Sequence, residues 1–242
     1  METGGPKIQR LYRFLAEKQI RLPRIITVRS WLSFIYRLSE KDLDTENEVL
    51  TRPGKKEDLD FFVSSDDIND PANHILKQDI KFWDEYGFRC LYVGYLKDQA
   101  RPFCLQYWIE DSDNHRFKNM EYGGMYQDLS PDTVHVEGGY VCKALRGQGL
   151  FPKFRTKTHK KLYKKGKKFI HAHIASSTRQ IASLKAANKA GLVPNYWISR
   201  IDIRLPFFRS SNFVRHDIRC SDFSKFPLSL FNTEKRPFEY IE

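Results

Sequence analysis

Cysteine is scarce and scattered. Cys90, Cys104, Cys142 and Cys220 are the four in the chain, and no Cys-x-x-Cys pair occurs, which argues against a disulfide framework and a structural zinc site. No stretch of roughly eighteen apolar residues is found, so no segment is expected to span a membrane. Residues 1–10 are polar and carry no signal-peptide core. A cytoplasmic setting is therefore the expectation. The glycine spacings of a Walker loop and of a Rossmann fingerprint are both missing, which excludes those two phosphate-binding devices. Acidic residues are also short, 30 against 41 Lys and Arg, and leave a net charge of +11 with a pI near 9.4. Such an excess draws anionic partners through its long-range field.

What is present suits a globular chain: 40% apolar residues and 14% aromatics across 242 positions, enough for one domain with a real core. Residues 8–22 place Ile8, Leu11, Tyr12, Leu15 and Leu22 near one helical face, so 1–24 reads as a helical extension, 25–218 as the domain and 219–242 as a tail. A strand is expected at 31–38, a capped helix start at Ser39 to Asp42, and a breaker at 51–56, where Pro53-Gly54 interrupts regular structure. A helix fits 71–86 and stops at Gly87. The runs 88–96 and 103–109 read as a hairpin, 111–118 as a polar turn and 134–143 as a further strand. Beyond it come a lysine-rich helix closed by Gly166, a strand at 169–175, and a helix from Ser177 or Thr178 to Ala190 stopped by Gly191. Strand-like runs at 196–205 and 213–218 follow. This order implies an α+β fold, an α/β mixed sheet with helices on its faces.

The most informative segment is Val141-Cys142-Lys143-Ala144-Leu145-Arg146-Gly147-Gln148-Gly149-Leu150-Phe151-Pro152. A strand enters a glycine turn and leaves as a helix, with Pro152 in the first turn, where its missing donor is harmless. Gly147 and Gly149 allow close approach of an anion, and first-turn amides with the helix dipole favour it. An ordinary strand-to-helix connection has the same appearance. The nine basic residues from Lys153 to Lys168 suit nucleic acid, an anionic membrane surface, an acidic carrier protein or a phosphorylated cofactor. A solvated helix face is the commonest origin of such a cluster, and its place just after the glycine turn favours a phosphate-rich ligand.

Together the turn and a second motif, Gln180-Ile181-Ala182-Ser183-Leu184-Lys185 running to Gly191-Leu192, resemble the GNAT superfamily of N-acyltransferases. The turn is similar to that family's Arg/Gln-x-x-Gly-x-Gly/Ala loop, with Phe151 at its last small position. The second is similar to its Asn-x-x-Ser-Leu helix, with Gln180 for Asn and Leu192 for Phe. The two lie about 35 residues apart with a strand between.

The resemblance implies a mostly antiparallel central sheet splayed between two strands and flanked by helices. It implies acetyl-CoA or another acyl-CoA as co-substrate, without a metal, and acetyl transfer to the primary amine of a small molecule by direct attack on the thioester. Val141 and Lys143 would offer main-chain groups to the pantetheine arm; Arg146, Gly147, Gln148, Gly149, Leu150 and Phe151 would hold the pyrophosphate, and Gln180 would belong to the donor side. Glu137, where many relatives place a carboxylate, is the candidate base, with His135, His171 and His173 as alternatives. An ordinary salt-bridged Glu is the competing reading. The family's acid Tyr position is Ala187 here, so Tyr140, Tyr163 or water would protonate the leaving thiolate. Cys142 reads as a buried apolar residue rather than a nucleophile. A longer acyl group carried by an acyl carrier protein is the alternative donor, and a homodimer is compatible with the resemblance. A basic nucleic-acid-binding module on the same fold is the alternative from another class, although the aromatics alternate as core strands and form no stacking platform.

Overall fold

The computed structural model describes residues 26–43, 47–65, 70–88, 91–175, 183–184, 187, 190–205 and 208–217. The expected helix at 8–22, most of that at 177–190 with Gln180, and the chain from 218 onward lie outside them. In chain order the strands and α-helices are β1 (Ile26–Arg37), β2 (Val49–Pro53), α1 (Lys56–Ser65), α2 (Pro71–Glu85), β3 (Leu91–Leu96), β4 (Cys104–Ile109), α3 (Asn114–Lys118), β5 (Thr133–Val141), α4 (Leu150–Lys164), β6 (Phe169–Ala175), β7 (Val193–Leu205) and β8 (Phe208–Asp217). The chain divides into two compact units, one of residues 36–172 and one of 1–35 with 173–242.

Within the first unit β2, β3, β4 and β5 pair antiparallel in that order, and β6 joins β5 in parallel. Every residue of β4 is buried, which explains a run with no polar alternation: a central strand covered on both faces needs none. Leu105, Tyr107 and Ile109 face Phe62 of α1, Leu76 and Trp83 of α2 and Phe117 of α3. Cys104 faces the other way, with Val49 and with Leu150 and Phe154 of α4. Each such buried side chain contributes about 1.5–3 kcal/mol of transfer free energy.

The caps follow the sequence. Asp70 accepts from the Ala72 amide, Pro71 opens α2, and Gly87 takes φ 75° just past its end. Gly166 takes φ 82° beyond α4. In the second unit β1 pairs antiparallel with β7, and β7 with β8. There the Arg200 Nε and Asp202 Oδ1 lie 2.6 Å apart, both side chains 2% exposed, and Ser211 Oγ donates to the same carboxylate.

The fold is α+β with a mixed, mostly antiparallel set of strands, as expected. Several boundaries differ. The 51–56 breaker is in fact the end of β2 and the start of α1; among the described residues Pro53 closes a strand paired only with β3, so its missing N–H leaves no ladder bond unmade. The 111–118 turn is a 3-10 turn at Asp111–Asp113 followed by α3. Glu40–Leu43 forms a 3-10 helix, and β8 begins at Phe208, before the expected 213. Among the described residues no helix is long and apolar enough to cross a membrane.

Candidate functional site

The β5 ladder to β6 runs from Thr133 opposite Phe169 to Val136 opposite Ala172. β5 itself continues to Val141 and pairs with β4 on its other edge. A 3-10 turn at Lys143–Leu145 then leads through Arg146-Gly147-Gln148-Gly149 into α4. Gly147 and Gly149 have φ 79° and 72°, and an added Cβ at either would meet nothing within 4 Å. Backbone sign, not crowding, therefore demands glycine there. Gly149 is the N-cap of α4 and supplies no side-chain cap, so first-turn amides remain for an anion. Lys143, Gly147 and Gln148 are exposed, and Gln148 donates to the Ala144 carbonyl at 3.2 Å. Leu150 is buried and anchors the helix start.

Arg146 folds back instead of reaching outward. Its Nε donates to the Val141 carbonyl at 2.8 Å, and its two terminal nitrogens donate to the Asp70 carboxylate at 3.1 and 2.7 Å. These bonds hold the Asp70 carboxyl below its usual range. The guanidinium also lies 5.2 Å from the Tyr140 ring centroid. Arg146 thus bolts the turn to the N-cap of α2. Phe151 turns its ring back over the strand: a Cβ on Gly139 would come within 2.9 Å of it. The bulky residue at the family's small position is matched by a strand residue without a side chain.

On the α2 side of β5 the polar groups converge. Tyr107 pairs with Glu137, yet Leu105 pairs with Tyr140, so Gly138 and Gly139 together oppose Gln106. Gly138 has φ 60°. This bulge resets the alternation and brings His135, Glu137 and Tyr140 to the face of Ile109, Tyr107 and Leu105. His135 Nε2 lies 2.7 Å from Glu137 Oε1, with the two side chains 3% and 16% exposed. Tyr126 hydrogen-bonds Glu137, and its hydroxyl is pushed well above its usual range by burial and then by the Glu137 charge. Asp79 of α2 is pushed up to about 7 by burial and then by Glu137. His171, opposite His135 in the parallel register, is pulled down to about 4 by burial and then by His135.

Tyr140 is 6% exposed, and its hydroxyl has no hydrogen-bond partner among the described residues. Tyr163 is half-buried on α4, and Cys142 packs beside the α2-side core. His173 belongs to the other unit, where its Nε2 is 3.4 Å from the Tyr196 hydroxyl. Ala187 is buried.

The sequence reading did not single out Asp79, Tyr126 or Asp70. Asp70 had a readable signal, a cap before Pro71; Asp79 and Tyr126 become partners of Glu137 only through packing. The group can accept a proton at a carboxylate held by a buried His and Tyr, with a second carboxyl ionising near neutrality beside it.

No family model and no curated protein matches the sequence. Solved structures do. A glucosamine N-acetyltransferase region of a fungal multi-domain β-N-acetylglucosaminidase is similar over 89% of this chain and 23% of its own, at 12% identity and a TM-score of 0.50. A GCN5-related N-acetyltransferase from Sphaerobacter thermophilus is similar over 88% of this chain and 58% of its own, at 10% identity and a TM-score of 0.45. A third, a putative GNAT-family acetyltransferase from Novosphingobium aromaticivorans, covers 74% and 67%, at 12% and 0.43. The chain spans 57% of a Drosophila protein that it also matches. The fold is that of the GCN5-related N-acetyltransferases.

Proposed function

We propose that this chain, with its GNAT fold, is an N-acyltransferase that moves an acetyl group from acetyl-CoA to a primary amine of a small molecule. The observation that carries the reading is the glycine turn, with two left-handed glycines, open space beside them and a helix N-terminus free of a side-chain cap. That arrangement fits a diphosphate: main-chain amides from Gly147 to Phe151 would hold it, with the exposed Lys143 adding charge. Arg146 would act through shape, since its guanidinium is committed to Asp70 and Val141. The Val141 amide, its carbonyl being taken by Arg146, and the main chain of Lys143 would seat the pantetheine arm, and Gln180 would support the donor side.

Acetyl-CoA supplies an acyl carbon activated as a thioester. Glu137 takes the proton that the attacking amine loses, and His135 and Tyr126 fix the carboxylate. Tyr140, its hydroxyl unpartnered among the described residues, gives a proton to the departing thiolate. No covalent intermediate on the enzyme is involved.

Thermal-shift titration with acetyl-CoA at physiological salt, followed by turnover against a panel of amines, tests the reading. Saturable stabilisation is expected. Gly149→Glu, which sets bulk, charge and a strained left-handed backbone beside the diphosphate, should weaken donor binding by about 100-fold or more. Glu137→Gln should slow turnover by about 10²–10⁴-fold while donor affinity stays within about twofold. An acetyl-CoA response that is absent in the parent protein, or retained by Gly149→Glu, overturns it.

A further inference from the structure

The lysines of α4 fall into two sets. Lys153 pairs with Glu48 at 2.7 Å, and just past the helix Lys165 and Lys167 reach Glu110 while Lys168 reaches Asp132. Lys157, Lys160 and Lys164 have no ion-pair partner among the described residues, and Lys161 donates to the Thr51 carbonyl. These four recur at i, i+3, i+4 and i+7, so they share one helical face. Like charges at that spacing destabilise a helix by a few tenths of a kcal/mol per pair. The sequence therefore keeps an unfavourable arrangement where acids neutralise the neighbouring lysines.

That face lines a cleft of about 330 Å³ against β2 and β3, where Val49 and Leu50 supply apolar surface and Tyr95 an aromatic wall. Among the described residues no acidic side chain lines it. Thr51, also on the wall, has a buried hydroxyl with no hydrogen-bond partner among the described residues. Burial and then the nearby Lys165 charge pull the Lys161 ammonium below its usual range. Arg52 is committed to Asp58 through two bonds of 2.6 and 2.8 Å, so the accessible charge in the cleft is that of the lysines. Its volume is at the lower end of the range for small-molecule sites, about 300–1,000 Å³, which matches a compact ligand.

We propose that this cleft binds a compact small molecule bearing two or more phosphate groups, at a site separate from the glycine turn. Lys157 stands about 12 Å along the helix axis from Gly149, at ~1.5 Å per residue, and Lys164 farther still. A phosphate bridging lysines one turn apart removes their mutual repulsion and accepts their charge-assisted bonds.

Calorimetric titration of the full chain with inorganic tripolyphosphate at 150 mM salt, an ionic strength that screens loose association (about 8 Å Debye length), tests this. Saturable one-to-one binding is expected, surviving in Gly149→Glu. The triple variant Lys157→Ala, Lys160→Ala, Lys164→Ala should weaken it at least tenfold; these substitutions favour helix and leave the Lys161 to Thr51 bond in place. A control with the same charge change, Lys56→Ala, Lys77→Ala, Lys81→Ala, should bind like the parent. Equal losses in the two triple variants mean bulk charge and overturn the site. So does loss of binding in Gly149→Glu, which would assign the phosphate to the turn. If duplex DNA or anionic vesicles bind through the three lysines while tripolyphosphate does not, the small-molecule assignment is wrong. None of these readings needs acetyl-CoA, so failure of the acyl-transfer reading leaves the result interpretable.

Discussion

Asp79 and His171 give the first unit an acid–base behaviour of its own. The Asp79 carboxyl, raised from 3.8 to about 7, stays protonated in the folded chain over a range where the unfolded chain has released its proton. The folded state then binds more protons, so stability falls as pH rises from about 4 to about 7. His171, lowered from 6.5 to about 4, works in reverse: the unfolded chain binds more protons in that window, and stability rises with pH there. The two slopes oppose each other below 6.5, and the Asp79 slope stands alone from there to about 7. Asp79→Asn should raise stability at pH 8 by about 1–3 kcal/mol and change little at pH 4, read by urea denaturation across pH. An equal gain at both ends would show that Asp79 ionises in the folded state as in the unfolded one. Glu137 became a candidate because the family resemblance places a carboxylate on the strand feeding the turn. Asp79 sits on another element, 58 positions earlier in the numbering, and no periodicity links the two.

Elements were legible where a local rule ends them. The left-handed Gly87 and the glycine turn before α4 both mark boundaries that backbone chemistry imposes. β2 was missed because Pro53-Gly54 is a breaker in most settings; only its pairing with β3 alone makes the proline harmless. α1 followed it out of view. Close approach of α4 to the sheet left a trace too faint to read, the single Gly94. A Cβ there would lie 2.6 Å from both Phe154 Cδ2 and Cys104 Sγ, nearer than atoms can come. Gly94→Val should therefore destabilise by about 1–3 kcal/mol or more through overpacking, seen as a lower denaturation midpoint. Phe154→Ala should destabilise by about 3–5 kcal/mol as a cavity. If Gly94→Val is better tolerated in the Phe154→Ala background, the two positions are coupled as their contact requires.

For the molecule as a whole, the charge of +11 acts on encounter more than on retention. An anionic donor should associate with a rate that falls steeply between low and physiological ionic strength, while its dissociation rate changes little. Stopped-flow fluorescence with an acyl-CoA at several salt concentrations measures both rates. A dissociation rate that carries most of the salt dependence would place the electrostatics in the bound contacts instead.

The paired glycines of β5 have one more effect, on parity. Upstream of them odd-numbered residues face α2; after the extra residue the even-numbered Tyr140 does. Removing one glycine would leave His135 and Glu137 where they are and send the Tyr140 phenol through to the α4 side, uncoupling proton acceptor from proton donor by a frame change of one position.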